Sequence, residues 1–323
     1  MQQYSAAGLA PATVRKYNKA WGTFVSLALA AGVPALPVSP WDYEAILSSF
    51  AAAKRSTALV TEMVAAVNHF HELAGFAAPS SSRLARLTIR GIQRAHYRPP
   101  KQALPFSPCL IRAAVNLLED DLIRTSHFTK SVSLWRTVAA MVFSFASLAR
   151  FNCMTLIKID HIHFSEDGVQ IFFPKSKTDQ AGRGEFVFLN CIPNSFYCPV
   201  LLLKAYSLRL QFEAFQAGTF PFRGFLFPGL RRIRGRTLLT RLAFSRQGAT
   251  KALRDLLSEL GTPDPSAFTL HSGRRGGATF AAMNGCDFIS LKRQGRWRSD
   301  KSPQIYIDDA HTRNNRFTSY LGL

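Results

Sequence analysis

Residues 271–309, HSGRRGGATFAAMNGCDFISLKRQGRWRSDKSPQIYIDD, place one His-x-x-Arg pair, several more arginines, one Trp and one Tyr in a single short segment. His271 and Arg274 fall where a helix should start, since PSAFTLHSGRRGGATFAAMNG runs from a capping region to an Asn-Gly stop. A spacing of three sets both side chains on one face. Trp297 follows His271 by 26 residues, and Tyr306 follows Trp297 by nine. Groups of these types can surround a phosphate. The planar fork of arginine suits its oxygens, an indole N–H donates without titrating, and imidazole handles a proton near neutral pH. A phenol can attack the phosphorus. Taken singly, each has an ordinary explanation: a surface pair, a core Trp, a half-buried Tyr.

The charge balance agrees with a polyanionic partner. The 323 residues carry 40 Lys+Arg against 20 Asp+Glu, a formal net charge of +20. Such an excess says little about fold but predicts association with nucleic acid. It is shared by both halves, with 10 basic and 4 acidic residues in 1–100 and 30 against 16 in 101–323. The length implies two domains, and 47% hydrophobic content makes the chain globular. Cys109, Cys153, Cys191, Cys198 and Cys286 are odd in number and form no CxxC. They indicate neither a disulfide framework nor a zinc site, and a reducing, intracellular setting is expected. The N-terminus has no charged stretch followed by an apolar core, as a signal peptide would, and AAMVFSFASLA is too short to span a bilayer.

The elements that must position these groups can be read along the chain. Residues 9–100 read as helical, with Val14, Tyr17, Trp21 and Phe24 on one stripe. STALVTEMVAAVNHFHELAG is a second helix, closed by Gly75. In SSSRLARLTIRGIQRAHYRPP, Arg83, Arg86, Arg90, Arg94 and Arg98 recur every three or four residues, which would stack five guanidinium groups along one helix face with Leu84, Leu87 and Gly91 opposite. No acid occurs between Glu72 and Glu119, so that face is expected to meet DNA backbone. The Pro-rich YRPPKQALPFSP (97–108) reads as a linker. Helices follow at SPCLIRAAVNLLEDD and SVSLWRTVAAMVFSFASLARF, then three short strands at HIHF, VQIFFP and EFVFL, then a helix at CPVLLLKAYSLRLQ. Phe172, Phe173, Phe186 and Phe188 are expected in the sheet core. His161 and His163 are expected to alternate on a strand and bind no metal. Residues 215–236 read as a loop ending in the basic cluster RRIRGR, a phosphate contact or a nuclear address.

The ordered set resembles the tyrosine recombinase (phage integrase) family, and its Cre-like branch in having Trp where many relatives have a second His. The family order is Arg, Lys, His-x-x-Arg, His or Trp, then Tyr. FASLARFNCMTLIKIDHI looks like the first box and supplies Arg150, and FFPKSKTDQAGRG is similar to the family β-hairpin and supplies Lys177. HSGR supplies His271 and Arg274, QGRW supplies Trp297, and SPQIYIDD supplies Tyr306. The likeness covers residues 108–310; LAPATVRKYNKAWGTFVSLA looks more loosely like the opening helix of the core-binding domain. It implies a mainly α fold: a helical, SAM-like core-binding domain over 1–100, and over 101–323 a mostly helical catalytic domain with a small three-stranded antiparallel sheet.

The resemblance also implies a chemistry. Tyr306 would form a 3′-phosphotyrosine, Arg150 and Arg274 would grip the non-bridging oxygens, and Lys177 would protonate the 5′-oxygen leaving group. His271 would orient the phosphate and help move the phenol proton, while Trp297 would donate its indole N–H. A phenol is only about one part in a thousand ionised at pH 7, so its surroundings must activate it. No cofactor is expected: the sequence shows no zinc ligand set, P-loop or carboxylate trio. The expected partners are double-stranded DNA, clamped between the domains, and three further copies of the chain in a tetramer on two sites, a dimer per site, with no membrane. Arg275, Arg296 and Arg298 are further candidates for backbone contact. Cys153 stands where the family commonly has an acid, three after the first Arg, and its loss would loosen Arg150. Lys175 and Tyr320 are the second candidates for acid and nucleophile. A DNA-binding protein that kept the fold and lost catalysis, and a type IB topoisomerase, are the other readings. The divergent first box would suit a eukaryotic mobile element of crypton or DIRS type as well as a phage or bacterial one, so the site of action is the nucleus in one case and the cytoplasm or nucleoid in the other.

Overall fold

The computed structural model describes residues 8–54, 56–99, 102–123, 128–176, 179 and 182–313, with side chains as far as Asp308. The chain divides into two compact units, Met1–Lys101 and Gln102–Leu323.

Among the described residues the first unit holds four α-helices: α1 (Pro11–Ala30), α2 (Pro40–Lys54), α3 (Thr57–Leu73) and α4 (Arg83–Ala95). The starts of α3 and α4 are set by Ser56 and Ser82, whose hydroxyls accept from the amides of Leu59 and Ala85. The helices close on a core of Phe24, Ala28, Tyr43, Leu47, Met63, Val67, Ala85 and Ile92. On α4 the inward stripe is Ala85, Ile89 and Ile92. Arg83, Arg86, Arg90 and Arg94 are exposed on the other side. Two expectations are corrected here. Leu87 is 54% exposed and shares the arginine side, because the buried stripe starts at Ala85 and steps by four and three. Arg98 lies beyond the helix, which ends at Ala95 with His96 as its C-cap, so four guanidinium groups and not five line the helical face.

The second unit begins with α5 (Pro108–Asn116), α6 (Glu119–Ile123), α7 (Val132–Ala146) and α8 (Phe151–Met154). Strands β1 (Ile162–Phe164), β2 (Gly168–Phe173) and β3 (Glu185–Asn190) form an antiparallel sheet in that order, followed by α9 (Pro199–Gln216). The hairpin β4 (Pro228–Ile233) and β5 (Arg236–Ala243) leads to α10 (Arg246–Glu259), α11 (Ser272–Met283), α12 (Phe288–Gln294) and α13 (Lys301–Arg313). The mainly helical architecture with a small three-stranded sheet is the expected one. Helix α7 is the central strut. It buries ten of its fifteen residues and packs against α5, α9, α10 and α11.

Three local readings change. The basic cluster RRIRGR, expected to end a loop, lies instead in the hairpin of residues 228–243, whose two-residue turn is Arg234 and Gly235, both at positive φ (47° and 81°). That is the conformation hairpin turns need, supplied in part by a residue that does not advertise it. In the three-stranded sheet Val169, Ile171, Phe173, Val187 and Leu189 point inward, so the period of two turns Phe186 and Phe188 to solvent (61% and 44% exposed) and leaves Phe172 half-buried. Only Phe173 of the four phenylalanines is core. His161 closes a short 3-10 turn ahead of β1, with Nδ1 accepting from the Lys158 amide, and only His163 is on the strand.

Helix α11 lies against α7 with almost no side chain between them. A Cβ on Gly273 would meet the Ser144 side chain, one on Gly277 the Phe145 carbonyl and Leu148, and one on Gly276 the backbone of Phe106. The glycines of SGRRGG therefore let the helix carrying His271 and Arg274 come down onto the end of α7. For Gly277→Ala the obstacle is a main-chain carbonyl that cannot rotate away. The clash should outweigh the roughly 1 kcal/mol of helix propensity gained. A net loss of about 1–3 kcal/mol is expected, as a lower urea midpoint at unchanged slope.

Candidate active site

The site is built where α7 ends. Ser147 caps the helix, Leu148 turns the chain at φ 50°, and Arg150, in extended conformation, caps α8. A left-handed conformation at a leucine is costly, about 1–2 kcal/mol. Here the turned Leu148 carbonyl accepts a hydrogen bond from Nη1 of Arg274. Arg274 is 1% exposed, and its Nη2 donates to the Gly295 carbonyl at 2.8 Å. The guanidinium carbon lies 4.3 Å from the centre of the Trp297 ring, and the group also hydrogen-bonds the Tyr306 side chain. One buried cation thus joins the α7–α8 turn, the α12–α13 connection and the α13 tyrosine.

Its electrostatics are unusual. Burial, then the charge of Arg150, lowers the Arg274 pKa to about 9, which still leaves it charged at neutral pH. His271 is lowered too, by desolvation first and then by the positive charges of Arg274, Arg150 and Arg275. Among the described residues no carboxylate pairs with Arg150, Arg274 or His271. A cluster of like charges with no counterion is a site waiting for an anion.

The aromatic members complete it. Tyr306 is 8% and Trp297 7% exposed, and their rings are 5.4 Å apart. The Tyr306 hydroxyl is 3.4 Å from His271 Nε2, a long contact of the kind that tightens when substrate is bound. His271 caps α11 from a partly exposed position and Tyr306 comes from the second turn of α13, so the pair forms only when those helices pack together. The structure therefore brings Arg150, His271, Arg274, Trp297 and Tyr306 to one place. Lys177 and Tyr320 lie outside the described residues. Lys175 is exposed at the end of β2, and Arg275, half-buried on α11, contributes to the field at His271.

Arg296 corrects one expectation. Read as a backbone contact flanking Trp297, it is instead 8% exposed and turned inward, at φ 52°. Its Nη1 donates to the carbonyls of Ser147 (3.2 Å) and Gln294 (3.3 Å), and its guanidinium stacks 4.0 Å over the Phe173 ring. Burial lowers its pKa to about 10, while Cys153 and Glu185 favour the charge. Cys153 is buried and tied to Arg150 through the main chain, its amide donating to the Arg150 carbonyl at 2.8 Å. Arg296 and Arg274 fasten the same two loops side by side. Nothing in the motif QGRW marks the first Arg as buried; the only signal is that it immediately precedes a core Trp.

No protein-family profile matches the chain. It is 26% identical over 303 residues to an integrase/recombinase, a xerD homolog, from Selenomonas ruminantium, across 93% of this chain and 82% of that protein. Among solved structures it is similar to the XerH site-specific recombinase in its post-cleavage complex with a palindromic difH substrate. That match has a TM-score of 0.58 and 12% identity, over 88% of this chain and 72% of that one. A lambda integrase dimer bound to a COC′ core site gives the same TM-score and identity, over 98% and 75% of the two chains. The fold is that of the DNA integrases and recombinases of this type. The sequence relationship to that integrase/recombinase spans nearly the whole length of this chain.

The depressed His271 pKa gives a direct expectation. In an NMR titration of the ring protons, His271 should lose its proton at a midpoint below the ordinary 6.5. Arg275→Ala, by removing one neighbouring positive charge, should move that midpoint up. A wild-type midpoint above 6.5, or a downward shift in the variant, would contradict the electrostatic description.

Proposed function

We propose that this chain cuts and rejoins DNA strands at specific sites through a 3′-phosphotyrosine. The observation that carries the reading is the uncompensated pair of cations Arg150 and Arg274 beside His271, closed by the Tyr306 hydroxyl. A phosphodiester seated there supplies the missing negative charge. Arg150 and Arg274 take its non-bridging oxygens, each contact aimed at developing charge being worth roughly 2.7–4 kcal/mol in the barrier. Trp297 adds its indole N–H. Neutral His271 accepts the phenol proton as the Tyr306 oxygen attacks phosphorus. The P–O5′ bond breaks, and the leaving oxygen takes a proton from Lys177, the acid assigned by the sequence resemblance. The ester formed is close in energy to the one broken, so a 5′-hydroxyl from a second strand can reverse the step without ATP.

The supporting likeness is to proteins described as recombinases and integrases, two of them in complex with DNA. The exposed arginines of α4 (Arg83, Arg86, Arg90, Arg94) and Arg98 serve as backbone contacts of a core-binding unit, and residues 102–323 serve as the catalytic unit. The active form is a dimer on each site and a tetramer on two, acting wherever the target DNA is held, nucleus or nucleoid. No helix among the described residues is long and apolar enough to cross a membrane.

Covalent capture tests this. The protein is incubated with fragmented genomic DNA in EDTA and stopped with SDS, and the ends of protein-linked fragments are sequenced. Wild type should yield adducts whose 3′ ends converge on a short motif, and Tyr306→Phe should bind DNA and yield none. Adducts surviving in Tyr306→Phe, or absent from both proteins, would refute the assignment. Scattered ends would indicate a topoisomerase.

A further inference from the structure

Outside the phosphate site, the connection from β3 to α9 places two cysteines in contact. Cys191 Sγ and Cys198 Sγ are 3.7 Å apart, seven residues apart in sequence. Their surroundings differ. Cys191 follows the last residue of β3 and is half-buried, its amide donating to the Asp167 carbonyl at 2.7 Å. Cys198 is fully buried, and it is the N-cap of the 18-residue α9. The Ile192 amide donates to its sulfur at 3.2 Å. Burial opposes a thiolate at Cys198, but the amides of Ile192, Leu201 and Val200 and the Cys191 thiol outweigh it and lower the pKa, while the shared proton raises that of Cys191. The remaining three cysteines are Cys109, exposed, Cys153, buried, and Cys286, half-buried; no short contact between sulfurs involves them among the described residues.

We propose that Cys191 and Cys198 are a thiol–disulfide exchange site, which small-molecule disulfides of the glutathione type oxidise to an intramolecular disulfide. The half-buried thiol is the entry point and the buried one resolves. Cys191 loses its proton and attacks one sulfur of the external disulfide, forming a mixed disulfide and releasing one thiolate. Cys198, whose sulfur lies beside it at the start of α9, gives up its proton and attacks the Cys191 sulfur. A second thiolate leaves, and the Cys191–Cys198 bond forms. Two protein thiols are oxidised and one external disulfide is reduced to two thiols, so atoms and electrons balance. The bond ties the end of β3 to the first turn of α9. β3 pairs with β2 along its whole length, and the link between those strands, residues 174–184, carries Lys177. The oxidised form therefore fixes the base of the hairpin that the proposed acid rides on.

The test uses the intact protein and oxidised glutathione as the probe. After an acid quench and alkylation, the tryptic peptide spanning residues 184–204 is examined. It contains both cysteines and no other. The expected result is a peptide lacking the mass of two hydrogens and carrying no alkyl group, formed while Cys153 stays reduced. In Cys191→Ser the peptide should stay reduced at Cys198, and in Cys198→Ala it should stop as the glutathione adduct on Cys191. A wild-type peptide that accumulates the adduct without closing would overturn the proposal. So would one that stays fully reduced while Cys109 is modified. If Cys198→Ala does not fold, the wild-type map decides alone.

Discussion

The candidate site is organised around the buried guanidinium of Arg274. Arg274 leaves water almost completely, a step that costs several kcal/mol unless its donors are met. They are met by two main-chain carbonyls and the Tyr306 side chain, on three segments that are distant in sequence. Charge-assisted bonds of this kind are worth about 1.5–3 kcal/mol each. The rest of the unit makes that arrangement possible. The glycines of α11 bring its backbone against α7, Leu148 accepts an unfavourable φ to aim its carbonyl, and Arg296 braces the same turn through the Ser147 carbonyl. An interior cation thereby holds three segments together, and its charge remains available to whatever enters.

That remaining charge links structure to function. Carbonyl oxygens and an aromatic ring solvate Arg274 without neutralising it, and Arg150 beside it has no acidic partner among the described residues. A carboxylate in the cluster would have stabilised the free protein and competed with the phosphate. Without one, burial first and the mutual repulsion of the cations second depress the pKa values of His271 and Arg274. Burial and the same cations favour the neutral form of His271, and a neutral imidazole is the form that can take a proton from Tyr306. The net charge of +20 extends this field outward, and an excess of that size favours association with polyanions.

How far the sequence carries depends on whether a feature is written in spacing or in three-dimensional contact. His271, Arg274, Trp297 and Tyr306 announce themselves by order and interval, and the strand periods of HIHF, VQIFFP and EFVFL place the sheet. Which phenylalanines face inward is not legible, because all four are equally apolar and only the register of β2 with β3 separates Phe173 from Phe186 and Phe188. The β4–β5 hairpin is hidden by an Arg at a position where Asn is usual. Arg296 shows the harder limit. One Arg between Gly295 and Trp297 reads as surface, and only the Ser147 and Gln294 carbonyls and the Phe173 ring make it interior, two of the three from segments far away in sequence.

The central claim is that the unpaired guanidinium groups neutralise a scissile phosphate. It is tested most directly by removing the charge from the substrate instead of the protein. Arg150 suits this, because its side chain is half-exposed and makes no protein hydrogen bond among the described residues, so Arg150→Ala leaves the fold intact. Once a target site is in hand, the variant is offered that site with either the natural phosphodiester or a neutral methylphosphonate at the cleavage position, and the Tyr306 adduct is measured. The account predicts that Arg150→Ala fails on the phosphodiester, by about 10²-fold or more, and recovers on the methylphosphonate, where no charge needs a partner. Equal impairment on both substrates would show that Arg150 acts by some means other than charge neutralisation, and would contradict the account.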